Sequence, residues 1–256
     1  MLQDELVTLT SKYKQNEKDS LSISSLPDDK YLCIRMDGFK ATKKYLKDVL
    51  INERFHTCMY KANNKLFNSF KHYLTNEYSS SIVCSLVVND EISIILNKDN
   101  NSDDAKKIMK LCTLFSGVLS SSMTLHLNKH TKMQEIIAFD ARPLVLNKTE
   151  ISEYIRYRYL IGKRYAYWKV LRLHNVGKWK EDSIKTNIIN CINIVKENGL
   201  EADALTIMST FKFYLPTKES SPQYSKDCLT DKNMNENILD NLIKSYLNYL
   251  HKKLNF

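Results

Sequence analysis

The sequence predicts an α+β fold: a palm-like antiparallel sheet with helices on one face, followed by a C-terminal helical extension. Three observations predict it. Short β-branched apolar runs alternate with longer segments of helical periodicity. Two of those runs are separated only by Asn89-Asp90, which reads as a hairpin. From Thr149 onward the chain turns strongly basic and rich in tyrosine, which sets its last part off from the rest.

The elements follow in order. Residues 1–29 are polar, end at SSLPDD and read as an N-terminal arm. KYLCIRM (30–36) is a short buried strand running into Asp37-Gly38, a turn pair. From Asn52, apolar residues Phe55, Met59, Ala62, Leu66, Phe70 and Tyr73 recur at steps of three and four, a helix. SSSIVCSLVV (79–88) and ISIIL (92–96) are the hairpin strands. NKDNNSDD (97–104) is a loop whose acids suit a helix start, and Ile108, Leu111, Cys112, Phe115 and Leu119 form the face of that helix. EIIAFDARPLVL (135–146) is the fourth strand. Strand, helix, hairpin, helix, strand is the split βαβ or ferredoxin-like order, here over a core of 30–148. The extension, 149–256, reads as a long helix, a second over about 181–198, an exposed loop at 215–227 and a last helix from about Asn235 to Lys253.

Bulk properties narrow the function. The 256 residues suffice for one large domain or a core with a helical addition. A formal charge of +9 favours a polyanionic partner, although heavy use of Lys, Asn, Ile and Tyr also fits an AT-rich genome. None of the six cysteines forms a C-x-x-C pair, so they read as buried thiols of a reducing compartment. No run approaches the roughly 18 apolar residues of a membrane span, and the N-terminus lacks the apolar core of a secretory signal. A soluble, cytoplasmic protein without a membrane partner is expected. There is no P-loop, no G-x-S-x-G and no Cys-His signature. His126 and His130, four residues apart, fall in what reads as a polar connection and not as a zinc pair.

The acids carry the chemistry. In this topology the first strand lies beside the central hairpin, so Asp37 at the strand's end and Asp90-Glu91 at the hairpin turn converge on one edge. Convergent aspartates are hard oxygen ligands that suit Mg²⁺, with water and substrate phosphates completing the shell. Two such ions ~3.5–4 Å apart would serve a phosphoryl transfer of the palm type. Asp-Gly and Asn-Asp are also ordinary turn pairs, and the residues alone leave both readings open.

At this point the sequence resembles the tRNA(His) guanylyltransferase family, especially its shorter bacterial and archaeal guanylyltransferase-like members. The resemblance rests on IRMDG (34–38), INERF (51–55), NDEISIIL (89–96), AKKIM (105–109), FDARPLVL (139–146) and EYIRYRYL (153–160), in that order, over about residues 30–165. It implies a 3′–5′ nucleotidyl addition. A nucleoside triphosphate activates a tRNA 5′ end, and the 3′-hydroxyl of an incoming GTP or other NTP attacks it. Two Mg²⁺ ions are implied, with Asp37, Gly38 and Asp90 as ligands and Glu91 supporting catalysis. Asp37, Gly38, Phe39, Lys40, Ala41 and Thr42 would cradle the triphosphate through backbone N–H groups, with Asn89 beside the nucleotide and Lys107 near phosphates. Asp140 and Arg142 match the family's acid and base, expected as much to brace the palm as to bind substrate. Gly38 is followed by Phe39 where the family has Arg or Lys, and Asn89 replaces a serine. The family also implies a homo-oligomer, a tetramer.

The segment from 151 to 172 interleaves arginines and lysines with tyrosines and Trp168. Such a mixture can hold phosphates and stack on unpaired bases, or pack a tyrosine face on the palm with its charges solvated. A combination is expected, with Arg158, Lys163, Arg164 and Tyr165 meeting RNA and Arg158, which matches a family arginine, open to a structural role. Two other readings stand beside this one: a palm nucleotidyl cyclase or template-independent 5′ extender, and a non-catalytic RNA-binding relative.

Overall fold

Five strands form one antiparallel sheet in the order β4-β1-β3-β2-β5. The structure, a computed structural model, describes residues 2–72, 82–97, 107–129 and 135–214, with Ser245, Leu247, Asn248 and Lys252. The strands are β1 (Tyr31–Gly38), β2 (Ile82–Val88), β3 (Glu91–Asn97), β4 (Phe139–Leu146) and β5 (Lys212–Tyr214). The helices are α1 (Leu2–Ser20), α2 (Glu53–His72), α3 (Ile108–Asn128), α4 (Glu150–Leu173), α5 (Asp182–Lys185), α6 (Ile188–Glu197) and α7 (Glu201–Met208). The first four strands and α2 and α3 have the split βαβ order that the apolar pattern predicts.

Alternation along β1 explains the layering. Leu32, Ile34 and Met36 point to a core shared with Phe55, Met59 and Leu66 of α2 and Phe115, Leu119 and Met123 of α3. Cys33 points the other way, into a second core. The sheet is therefore covered on both faces, not on one as expected.

Helices from outside the palm order cover that second face. Within residues 1–29, expected as an N-terminal arm, α1 buries Leu6, Leu9 and Tyr13, and Tyr13 stacks on Tyr157 with centroids 5.2 Å apart. Helix α4 lies between the sheet and α6 and α7, burying residues on every side. The extension then returns β5 to pair with β2, so extension and palm share one core. The helix expected over 181–198 is broken, because the Asn187 side chain accepts from the N–H groups of Ile189 and Asn190 and starts α6 afresh.

Helix α3 is long and apolar enough, by length and composition only, to cross a membrane, contrary to the expectation that no run comes near. Its apolar character has a packing reason: Ile108, Leu111, Phe115, Leu119 and Met123 lie in the core. His126 sits inside this helix and not in a connection. Cys33, Cys58, Cys84, Cys112 and Cys191 are buried free thiols. The loops at 97–104 and 215–227, the helix after Asn235, His130 and Cys228 fall wholly or almost wholly outside the described residues.

Candidate active site

One edge of the sheet gathers four carboxylates. Asp37 ends β1 and pairs in register with Glu91 on one side and Asp140 on the other. Asp90 stands in the two-residue β2–β3 turn, and its carbonyl accepts from the Gly38 N–H at 3.0 Å. Like charges set side by side on a sheet are destabilising, so each needs a counterion.

Two of the four have one. Glu91 takes the Arg158 guanidinium at 2.5 Å and Arg35 at 3.9 Å. Asp140 takes Arg142 at 2.8 Å. Arg142 and Arg35 both reach back to Glu17 of α1, at 3.0 and 3.3 Å. Glu91 and Asp140 thus belong to a bracing network of alternating charge.

Asp37 and Asp90 are left facing a cavity. Burial, reinforced by Asp90 and Glu91, pushes the Asp37 carboxyl up to about 6. The Asp37 side chain is open to the cavity, so water moderates that push. Burial also raises Asp90, opposed by hydrogen bonds from Thr42, whose N–H (2.7 Å) and hydroxyl both donate to Asp90 Oδ2. Two acids that resist ionising beside each other are a pair awaiting positive charge.

The turn after β1 is tightly drawn. A Cβ on Gly38 would come 2.7 Å from the Ala41 Cβ, so glycine is required by space alone. Lys40 adopts φ 57° and Asn89 φ 54°, the left-handed conformations of tight turns. The N–H groups of Gly38, Phe39 and Thr42 donate to Asp90 O, Ala138 O and Asp90 Oδ2. The expected backbone cradle for a triphosphate is thus differently used: the Gly38 and Thr42 amides tie the turn to the hairpin, and the Phe39 amide ties it to the residue before β4. Positive charge comes instead from Lys40, Lys43 and Lys47, which line the cavity.

The cavity holds about 500 Å³, within the range of small-molecule sites. Asp37, Gly38, Ala41, Thr42 and Asp90 form one wall; Tyr165, Trp168, Arg172 and Trp179 form the other. Tyr165, Trp168 and Arg172 share a face of α4 by their three- and four-residue spacing. Both indole N–H groups are bonded internally, Trp168 to the Trp179 carbonyl at 3.0 Å and Trp179 to Asn175 Oδ1 at 3.1 Å. The rings, 6.3 Å apart at their centroids, are pinned in place. Beneath them Lys169 is buried, donates to the Leu50 carbonyl at 2.9 Å, and is pushed down to about 8 by burial and Arg172.

The expected site residues divide accordingly. Asp37, Gly38, Lys40, Ala41, Thr42, Asp90 and Tyr165 meet at the cavity. Phe39 is exposed at 64% under the Lys40 ammonium and Asn89 shapes the hairpin turn. Lys107 bridges Ser25, before the start of β1, at the opposite end of the sheet from Asp37. Its place corrects its expected role. Ser120, which contacts the Phe139 N–H at the acid edge, is about 20 Å further along α3 at 1.5 Å per residue. Arg158 and Lys163 are buried, at 8% and 4% exposure, so neither offers its charge to RNA at a surface; Arg164 is partly exposed. Trp179, Lys43 and Lys47 were not singled out by sequence. The spacing of residues 165, 168 and 172 was a usable signal, whereas Trp179 lies beyond the helix and had none.

Among the described residues no group of three or more His, Cys, Asp or Glu side chains is arranged to hold a metal. The oxygen donors of Asp37 and Asp90 nevertheless fit Mg²⁺, which commonly takes one or two carboxylates and completes its shell with water and substrate phosphates.

A family model described as Thg1, tRNAHis guanylyltransferase, matches residues 11–147. Among solved structures, a bacterial tRNA(His) guanylyltransferase (Thg1)-like protein in complex with ATP is 13% identical, with TM-score 0.65, over 93% of this chain and 96% of that one. A bacterial protein of the same description in complex with GTP is 12% identical, with TM-score 0.60, over 93% and 97%. The tRNA(His) guanylyltransferase of Saccharomyces cerevisiae is 18% identical, with TM-score 0.55, over 80% and 93%. At these identities the structures share the fold. No curated protein matches the sequence.

Proposed function

Since the chain belongs to the tRNAHis guanylyltransferase family, whose model matches more than half of it, we propose that it is a nucleotidyltransferase adding GMP or another nucleotide to the 5′ end of a tRNA. The observation that carries this is the position of Asp37 and Asp90, neither of them in an ion pair with a Lys or Arg among the described residues, in the lining of a cavity that Lys40, Lys43 and Lys47 also line. Similar folds are found in proteins described as bound to ATP and GTP, which supports nucleotides as ligands here.

The roles follow from position. Asp37 and Asp90, with Gly38 between them in space, would hold Mg²⁺, which supplies charge neutralisation to the phosphates and polarises the phosphorus under attack. Thr42 fixes the Asp90 carboxylate through two hydrogen bonds, so one of its oxygens is held in a set direction. Lys40, Lys43 and Lys47 offset phosphate charge as the triphosphate enters. Tyr165, Trp168 and Trp179 offer ring faces to a base, which favours stacking without selecting among bases. In the reaction an oxygen of the RNA 5′-phosphate attacks the α-phosphorus of a nucleoside triphosphate and pyrophosphate leaves. The 3′-hydroxyl of the incoming nucleotide then attacks the activated 5′-phosphate, its proton is lost, and the nucleoside monophosphate leaves.

Trp168 and Trp179 are the chain's two tryptophans, and both line this cavity. Intrinsic fluorescence therefore reports on nucleotide entry. Mg²⁺ with GTP or ATP should quench it in the parent protein, and Asp37→Ala should remove the metal-dependent part. Incubation with Mg²⁺, the four NTPs and 5′-phosphorylated or triphosphorylated tRNA, followed by sequencing of 5′ ends, should show added nucleotides that vanish in Asp37→Ala and Asp90→Ala. Full activity in either variant would end this assignment.

A further inference from the structure

Where the N-terminus of α2 meets the C-terminus of α3, a second cavity of about 520 Å³ is lined by Glu53, Arg54, Thr57, Lys61, His126 and Lys129. We infer that this groove binds the phosphodiester backbone of the RNA whose 5′ end reaches Asp37 and Asp90; the inference rests on the function proposed above.

Topology places it. Strand β1 ends at the acid edge, and α2 starts from that edge after a short connection. Helix α3 runs toward the same edge, since Ser120 bonds the Phe139 N–H and Asn128 bonds Glu135 just before β4. The groove and the acid pair therefore share one end of the molecule. The wide turn Thr42–Leu46 and the residue after it join them: Lys43 and Lys47 line the acid cavity, while Lys44 and Tyr45 hold Glu135 near Arg54. Positive side chains thus continue from one site to the other.

Charge is concentrated there and is not balanced along its own helices. Beyond Glu53, α2 has no acid, and α3 has none in its whole length. Lys61, Lys65 and Lys129 are exposed. The His126 ring is held below its ordinary value by burial and then by Lys61, Lys129 and Lys65, so three cations act on one point. Arg54 donates to the Leu127 carbonyl, which ties α2 to α3 and fixes a guanidinium at the rim. A solvated helix face ordinarily mixes both signs at three- and four-residue spacing; here Glu53 is the one acid in the groove lining, against Arg54, Lys61 and Lys129. Exposed lysines of this kind position a nucleic acid through its phosphates without reading sequence.

The test uses the full chain, bulk tRNA as the probe and two double variants, Lys61→Gln/Lys129→Gln and Lys61→Glu/Lys129→Glu. Both should keep the parent melting temperature and the Mg²⁺-dependent quenching by GTP. The Glu pair should weaken tRNA binding by about tenfold or more near 0.1 M salt, the Gln pair by less. The slope of log affinity against log salt should flatten by about 1.5, since each lost phosphate contact removes a little under one unit. Parent binding with unchanged affinity and slope in the Glu pair overturns the groove and leaves the proposed function standing. A parent protein that binds GTP with Mg²⁺ but no tRNA at any salt overturns both. Loss of binding to anionic lipid vesicles with tRNA binding intact would assign the groove to a membrane and also overturn it.

Discussion

Asp37 and Glu91 stand directly opposite each other across β1 and β3, yet only Glu91 is held by a buried arginine, Arg158 at 2.5 Å. That asymmetry separates the acids of the edge by task. Glu91 is neutralised within the fold, and Asp37 keeps its charge for the cavity.

Arg158 is accordingly a bracing residue. Arg158→Met leaves the largely covered Glu91 with Arg35 at 3.9 Å as its remaining ion pair among the described residues. Breaking a buried pair from one side costs about 3–5 kcal/mol, whereas replacing both partners by apolar groups is often neutral. In urea denaturation the single variant should lose stability on that scale, and Arg158→Met/Glu91→Leu should recover most of it. A double variant as weak as the single one would mean that the pair is not what holds this edge.

Asp37→Asn should abolish turnover and yet stabilise the metal-free protein. The folded carboxyl titrates near 6 against 3.8 when unperturbed. The native state then binds the proton more tightly, so the penalty is full above about pH 6 and fades toward pH 4. Solvent access reduces it to the order of 1 kcal/mol at pH 7, which is roughly 2–4 °C for a domain of this size. Calorimetry at pH 7 without divalent ions should show that rise, shrinking at pH 4.5; a lower melting temperature at pH 7 would show that Asp37 is bound by a partner inside the protein.

The sequence made the palm legible because its elements are amphipathic in the ordinary way. Alternation in β1 and the three–four spacing of α2 and α3 each name one core face. Asp37 and Asp90 follow from that topology, since the turns carrying them must share an edge. Helix α4 was harder to read. It is packed on the sheet and on α6 and α7, so it has no polar stripe, and nothing local shows that Arg158 and Lys163 point inward. In α1, Leu6, Leu9 and Tyr13 have helical spacing, but they are sparse in a polar string and their partner helix lies about 140 residues away. Strand β5 is three residues long and exists because β2 offers an edge.

His56 sets an acid limit on the fold. It is 5% exposed, edge-on to Phe55 and stacked on Tyr60, and pushed down to about 4 by burial and Lys169. Its unfolded value is 6.5, so its contribution is complete above that pH and is lost as pH falls toward about 4. Between pH 8 and pH 5 the loss is about 2 kcal/mol. Asp37 acts with the opposite sign over part of this window, so the comparison must be with a variant. His56→Phe should lose about 2 kcal/mol less than the parent over that interval; equal losses would mean that the ring protonates without unfolding the site.

Trp179 offers the cleanest view of the aromatic wall. Trp168 donates its indole N–H to the backbone carbonyl of residue 179, not to the Trp179 side chain, so Trp179→Ala leaves that bond intact. The acceptor of the Trp179 indole N–H, Asn175, is exposed and returns to water, as does Lys180, whose ammonium lies 5.3 Å from the ring centroid. Trp168→Ala, by contrast, strips that carbonyl of its donor and removes the ring that Arg172 covers at 5.6 Å, which mixes packing with binding. A base stacked on one aromatic ring gains about 1–3 kcal/mol, or roughly 5- to 150-fold in affinity. Titration of GTP and ATP with Mg²⁺ against Trp179→Ala, followed by calorimetry, should show weakening in that range for both nucleotides and a melting temperature close to the parent's. Stacking is tolerant of base identity, so a loss confined to one nucleotide would point to hydrogen-bonded reading instead. An unchanged affinity for both would leave the ring a pin for the turn after α4 and nothing more.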